Sequence, residues 1–223
     1  MATAPHAQPS SDPANDGSLL GMANEILKKH LQGVDDMLPA RIISYDRTTN
    51  RAQVLPLIRI LTTDQRQITR GQIASVPVMQ FGGGGFVLNF NLKPGNLGWI
   101  KASDRDISLF LQSFKENAPN TLRLHSFQDA VFIPDVMTGY VINGEDAENA
   151  VLQTLDGSVR VAVWADRVKL TAGASSLTIT NAGSTFAGPV NMPDGAVINA
   201  IPFATHKHTG VTTGGGNTGN PTA

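Results

Sequence analysis

The sequence predicts an all-β protein with minor helices, and three observations carry that expectation. Gly (22 residues), Thr and Val are plentiful while aromatics make up only 6%, a mix that favours strands and tight turns. Two-residue alternation recurs from about residue 39 onward, broken by Gly, Asn and Asp turn signals. Helical spacing shows in two short stretches only.

Composition narrows the function classes. At 41% hydrophobic and 16% charged, the 223-residue chain can bury a core and lacks the charge density of a disordered protein. The formal net charge of −1, from 17 basic and 18 acidic side chains, offers no basic excess for nucleic-acid phosphates. Cysteine is absent, so disulfides, thiolate metal sites and thiol nucleophiles are excluded. No apolar run approaches the ~20 residues of a membrane span. Met1 to Asp16, rich in Ala, Pro and Ser, lacks the apolar centre of a signal peptide, so folding in a reducing cytosol is expected.

Residues 1–17 read as a flexible tail and 18–36 as an amphipathic helix, with Leu19, Met22, Ile26, Leu27 and Leu31 at three- and four-residue spacing and Asp16 or Ser18 as its cap. Such a stripe is expected to dock on its own domain, with a neighbouring protein as the alternative. Arg41 to Tyr45 is a short strand and Asp46 to Asn50 a polar turn. Arg51 to Leu61 is a longer run in which Pro56 implies an edge or bulge. Ile73 to Phe81 is a further run that ends in Gly82–Gly85. Phe86, Leu88, Phe90 and Leu92 then alternate with Val87, Asn89 and Asn91, predicting a core-facing strand. Lys93 to Asn96 is a turn, and Leu97 to Lys101 a strand.

A second helix is predicted from Ser103 as N-cap and Asp106 as its capping-box partner, with Ile107, Phe110, Leu111 and Phe114 on one face. Phe127 to Ile133 closes the segment. About five short strands with one helix suit an OB-fold-like barrel over 37–135, although an SH3-like barrel would have similar strands.

Past Asp135 the pattern thins. Val159, Val161 and Val163, then Val168 and Leu170, Leu177 and Ile179, Phe186 and Val190, and Val197 alternate with polar residues, one or two apolar side chains per strand. One copy of such a ladder buries too little to offset its ordering entropy. Identical chains wound together would close the sheets and remove exposed edges, and three sheets enclose a prism where two do not. Residues 136–200 are therefore expected to form the shaft of an intertwined trimeric β-helix, and 201–223 a metal-bound apex.

The metal expectation rests on His206 and His208. In extended backbone, residues i and i+2 share a side, so both imidazoles can face one axis while Lys207 points outward. Two ligands on each of three chains make six nitrogen donors. Imidazole suits Fe, Ni, Cu and Zn; zinc prefers four ligands, so a six-nitrogen site points to iron, one ion per trimer. A closed site of this kind is structural and does not activate water. The glycine-rich stretch Gly210 to Gly219 would fold back to cap the apex.

Other candidates carry less. His6, His30 and His125 read as solvated or hydrogen-bonded histidines, His30 on the polar side of the first helix. Gly82–Gly85 has no Gly-Lys-Ser/Thr behind it and reads as a hairpin loop, not a phosphate cradle. Asp104 and Asp106 are explained by the first turn of the second helix. No nucleophile elbow or zinc-protease motif occurs, so no catalytic residue, enzyme activity or small-molecule substrate is expected.

The stretches Pro39 to Asp46, Thr49 to Leu57, Gly82 to Phe86, Leu92 to Gly98, Asp104-Arg105 and His125 to Pro134, together with His206-Lys207-His208-Thr209-Gly210 and the glycines behind it, resemble the central spike proteins of contractile phage tails. The likeness spans 37–223 and leaves out what precedes Asp36. It implies a homotrimer whose OB-fold barrel seats on the baseplate hub, a triple-stranded β-helix, and one iron held by His206 and His208 of three chains. It also implies a location in the virion tail baseplate after assembly in the host cytoplasm, and mechanical piercing of the host outer membrane on sheath contraction. A trimeric OB-type module binding carbohydrate or nucleic acid, with a β-stalk, is the alternative.

Overall fold

The computed structural model describes residues 17–62, 65–193, 195–198 and 201–202. The chain divides into two compact units, Met1–Gly139 and Tyr140–Ala223. No helix among the described residues is long and apolar enough to cross a membrane.

In the first unit, α1 (Leu19–Gln32) begins at Ser18, whose hydroxyl accepts a hydrogen bond from the Gly21 N–H at 2.9 Å. The strands follow: β1 (Met37–Asp46), β2 (Arg51–Pro56), β3 (Ile60–Leu61), β4 (Gln67–Ile68), β5 (Ile73–Pro77), β6 (Phe81–Gly83), β7 (Phe86–Leu88), β8 (Leu97–Arg105) and β9 (Leu124–Pro134), with α2 (Ser108–Ser113) before the last. Five of them make one sheet in the order β5-β2-β1-β8-β9. Val78, just past β5, bridges in parallel to Phe132 of β9, which brings the two edges together into a nearly closed barrel. First strand between second and fourth, third meeting fifth, is the partly open Greek-key arrangement expected of an OB-type barrel.

Alternate residues of each strand fill the barrel: Ala40 and Ile42, Ala52 and Val54, Val76 and Val78, Ile100 and Ala102, Ala130 and Phe132, with Phe127 beside them. Small and large side chains alternate because a narrow barrel cannot take two large ones at one level. Gly98 is where this is tightest. A Cβ there would run into the Ile133 carbonyl and the Phe132 ring, so only glycine lets β8 approach β9.

Several expectations are corrected here. The run Arg51 to Leu61 is not one strand: Pro56 ends β2, and the chain bends at Ile58 before β3. The alternation from Phe86 to Leu92 is not a core strand either. Only Leu92 packs against the core, while Phe86, Leu88 and Phe90 are exposed in and beside the small β6–β7 hairpin. Gly84 (φ 58°) and Gly85 (φ 88°) make its two-residue turn, a conformation that favours glycine at both places. The second helix begins four residues later than expected, because Ser103, Asp104 and Arg105 continue β8 in pairing with β9. What remains of it, α2, is two turns long and leaves Phe110 and Phe114 exposed.

The second unit is a five-stranded antiparallel meander: β10 (Ala150–Gln153), β11 (Val159–Val163), β12 (Arg167–Ala172), β13 (Ser175–Thr180) and β14 (Gly183–Ala187), in that spatial order. A separate pair, β15 (Val197–Ile198) and β16 (Ile201–Pro202), follows. Turns at Asp156-Gly157, Gly173-Ala174 and Asn181-Ala182 separate the strands. Within one chain this is a succession of hairpins.

Candidate functional site

The meander has two unlike faces. Cross-strand register places Leu152, Val161, Leu170, Leu177 and Phe186 opposite one another in a single row over all five strands. Beside it run Val163, Val168 and Ile179, again in register. Strand parity puts both rows on one face. That face is open: Leu152 is 53% exposed, Phe186 57% and Val163 51%. A contiguous apolar face of this kind is uncommon on a monomeric soluble protein and marks an interaction surface.

The other face is sealed by charge and hydrogen bonds. A 3-10 turn, Gly144–Asp146, lays Asp146 against the sheet, where it is 1% exposed beside Ala162. Arg160 Nε donates to Asp146 Oδ2 at 2.6 Å and Trp164 Nε1 to Oδ1 at 3.0 Å. Glu145 pairs with both Arg160 and Lys169. The Lys169 ammonium, with Arg160 behind it, holds the Glu145 carboxyl below its ordinary range. Arg167 stacks over the Trp164 ring, 3.2 Å from its centroid. With one side finished in this way, the apolar side is the one left open.

A second unpartnered surface is α1. The Val34 to Asp36 segment behind it is tied to the barrel, Asp35 N–H donating to the His125 carbonyl at 2.9 Å and Asp35 Oδ1 meeting Arg70 Nη1 at 2.9 Å. The expected docking of the stripe on its own domain does not occur: Leu19, Leu20, Met22, Ile26, Leu27 and Leu31 are all exposed, since the barrel's apolar side chains already face inward. His30 is not on the polar side. At i+4 from Ile26 and i+3 from Leu27 it stands within the apolar arc.

Of the other sequence candidates, His206, His208, Lys207, His6 and the apex glycines lie outside the described residues. Among the described residues no three His, Asp or Glu side chains gather into a metal site. His125 is in β9 at φ 46°, its Nε2 3.2 Å from Asp104 Oδ1. Asp106 caps α2 from two residues before it, accepting from Ser108 N–H at 2.9 Å, and also from Thr121 Oγ1 and Arg123. The Ser108 and Thr121 hydrogen bonds, with Arg123 close by, hold its carboxyl well below the usual range. Arg123 reaches on to both oxygens of Asp129. This network braces the loop between α2 and β9. Sequence reasoning missed it and the Asp146 cluster alike, because their partners lie 6 to 24 residues apart across turns.

No curated protein matches the chain. Residues 38–135, which run through the barrel, match the family model described as the phage protein Gp138 N-terminal domain, a likeness that supports a phage structural protein.

Proposed function

We propose that three copies of this chain form the central spike of a contractile tail baseplate, part of the virion, which seats on the hub and pierces the host outer membrane mechanically. The observation that carries this reading is the apolar face of β10–β14, left open in one chain while the opposite face is sealed. Three such faces turned inward would bury the Leu152-to-Phe186 row and give the thin ladder the core it lacks. The phage-domain match over the barrel supports the particle; the open face supports the trimer.

His206 and His208 would hold one iron per trimer. The donor chemistry fits: two imidazoles per chain, no cysteine anywhere in the sequence, and no competing metal cluster among the described residues. Bound there, the ion would act as a structural clamp on three chain ends and not as a reagent. No catalysis, nucleic acid or small-molecule substrate enters this reading.

The test is the mass of the purified protein in solution together with its metal content. Three chains with one iron are expected. A monomer would sink the spike reading, and a metal-free trimer would sink the clamp.

One observation favours the alternative of a trimeric OB-type binding module with a β-stalk. Phe81, Phe86 and Phe90 are exposed on and beside the β6–β7 hairpin, where rings could stack on sugars or bases. Titration with oligosaccharides and single-stranded DNA separates the two readings, since a spike needs neither.

A further inference from the structure

We propose that α1 is a second self-association element, packing against the α1 helices of the other two copies into a parallel three-helix bundle ahead of the barrels. This rests on the trimer proposed above.

The apolar arc of α1 is too broad for one groove. A helix laid in a single groove presents one strip of i, i+3, i+4 and i+7 anchors. Here two adjacent rows exist: Leu19, Met22 and Ile26 form one, and Leu20, Leu27 and Leu31 the other. Ala23 and His30 lie between them, so a small residue and a polar one occupy the line midway. A helix in a three-helix bundle has two neighbours and needs two rows, with the line between them facing the common axis. All six large side chains are exposed, enough to supply much of the ~800 Å² per partner of a standard interface.

Chain connection supplies the occupant. If β10–β14 hold three chains together, three α1 helices belong to one molecule, and their association becomes intramolecular. The Asp35 contacts with His125, Phe127 and Arg70 fix the C-terminal end of each helix to its own barrel. The opposite side of α1, with Lys28 paired to Glu25 at 3.1 Å, is polar and would face water.

The absence of cysteine makes the test clean. Ala23→Cys puts one thiol per chain on the inner line, and Lys28→Cys puts one on the outer face. Both sites are exposed, so neither change threatens folding. Each full-length variant is oxidised under mild conditions and run on a denaturing gel, with its mass in solution measured beforehand. The bundle predicts disulfide-linked pairs for A23C, up to two chains in every three, and at least a tenfold lower yield for K28C. A trimer in which A23C gives no more pairs than K28C would overturn the bundle and leave α1 to a different partner. A monomeric mass would instead overturn the trimer on which the bundle rests.

Discussion

Asp146 and Arg160 form an ion pair closed off from water on the back of the second unit's sheet. Asp146 is 1% exposed, and the Nε–Oδ2 distance is 2.6 Å. Trp164 donates to the other carboxylate oxygen, so both oxygens accept a hydrogen bond. Asp146→Ala leaves the Arg160 guanidinium only the Glu145 carboxylate, which Lys169 shares. The expected cost is on the order of 2 kcal/mol, that of hydrogen bonds to a charged group. It should show as a lower thermal midpoint for the second unit, and Asp146→Asn, which still accepts from Trp164, should lose less. Equal stability of Asp146→Ala and the parent would mean that the pair does not seal this face.

Leu170 pairs with Val161 on one side and Leu177 on the other, in the middle of the apolar row. Leu170→Asp places a carboxylate where the proposed trimer is driest, and an unpaired buried charge is not tolerated at such a surface. The variant is expected to sediment as a monomer while its barrel keeps native far-ultraviolet circular dichroism. A trimer of unchanged stability would show that association uses another surface.

Gly98 is the residue whose replacement the barrel tolerates least. Gly98→Ala must push β8 away from the Phe132 ring and the Ile133 carbonyl. Overpacking of this kind costs about 1–3 kcal/mol. Hydrogen exchange should report the loss of protection at Ile100 and Phe132 and none in β11 or β12. Protection lost equally in both units would contradict the division of the chain.

What was legible in the sequence follows from how local the signal is. The barrel strands were readable because Ala40/Ile42, Ala52/Val54 and Ile100/Ala102 each alternate within their own strand. Ser18 was readable as a cap because capping spans three residues. Phe86 to Leu92 misled for the converse reason. The same period that marks a core strand also arises in a hairpin, and only tertiary pairing of Phe81 with Leu88 decides between them. Ser103 to Asp106 misled because a capping-box pattern was overridden by pairing across to Ser126 and Leu124. Of the candidate site, the open face was legible as thin alternation, whereas its sealed back was not, since Asp146 meets Arg160 only after the chain has turned.

Asp156 sets a pH dependence that can be isolated. Its carboxylate accepts from Thr154 Oγ1 at 2.5 Å and from Ser158 N–H at 3.1 Å, and these bonds push its pKa down to about 2. A folded-state value below that of the open chain means the ionised group favours the β10–β11 turn. That contribution is complete above the open-chain value of 3.8 and is lost as the pH falls through about 2. The group is exposed, so the effect is modest. Denaturant midpoints should fall between pH 4 and pH 2 in the parent, and fall less in Asp156→Asn. Parallel profiles would mean that the turn does not depend on the charge.

The sharpest separation of clamp from scaffold comes from replacing His206 and His208 together by Ala. If the apolar faces of β10–β14 hold the trimer, the double variant keeps its mass in solution and its barrel, and loses the metal. Acid should imitate the substitution in the parent, since protons compete with the ion for imidazole and release it before the sheets part. Metal content and mass, measured on the same samples from pH 7 to pH 4, would show iron leaving first. If the mass falls with the metal, in acid or in the double variant, the two histidines would be determinants of assembly, and the open face would be insufficient to hold three chains by itself. If the metal stays in the double variant, its ligands lie elsewhere in the chain, and the pairing of His206 with His208 as the tip site is wrong.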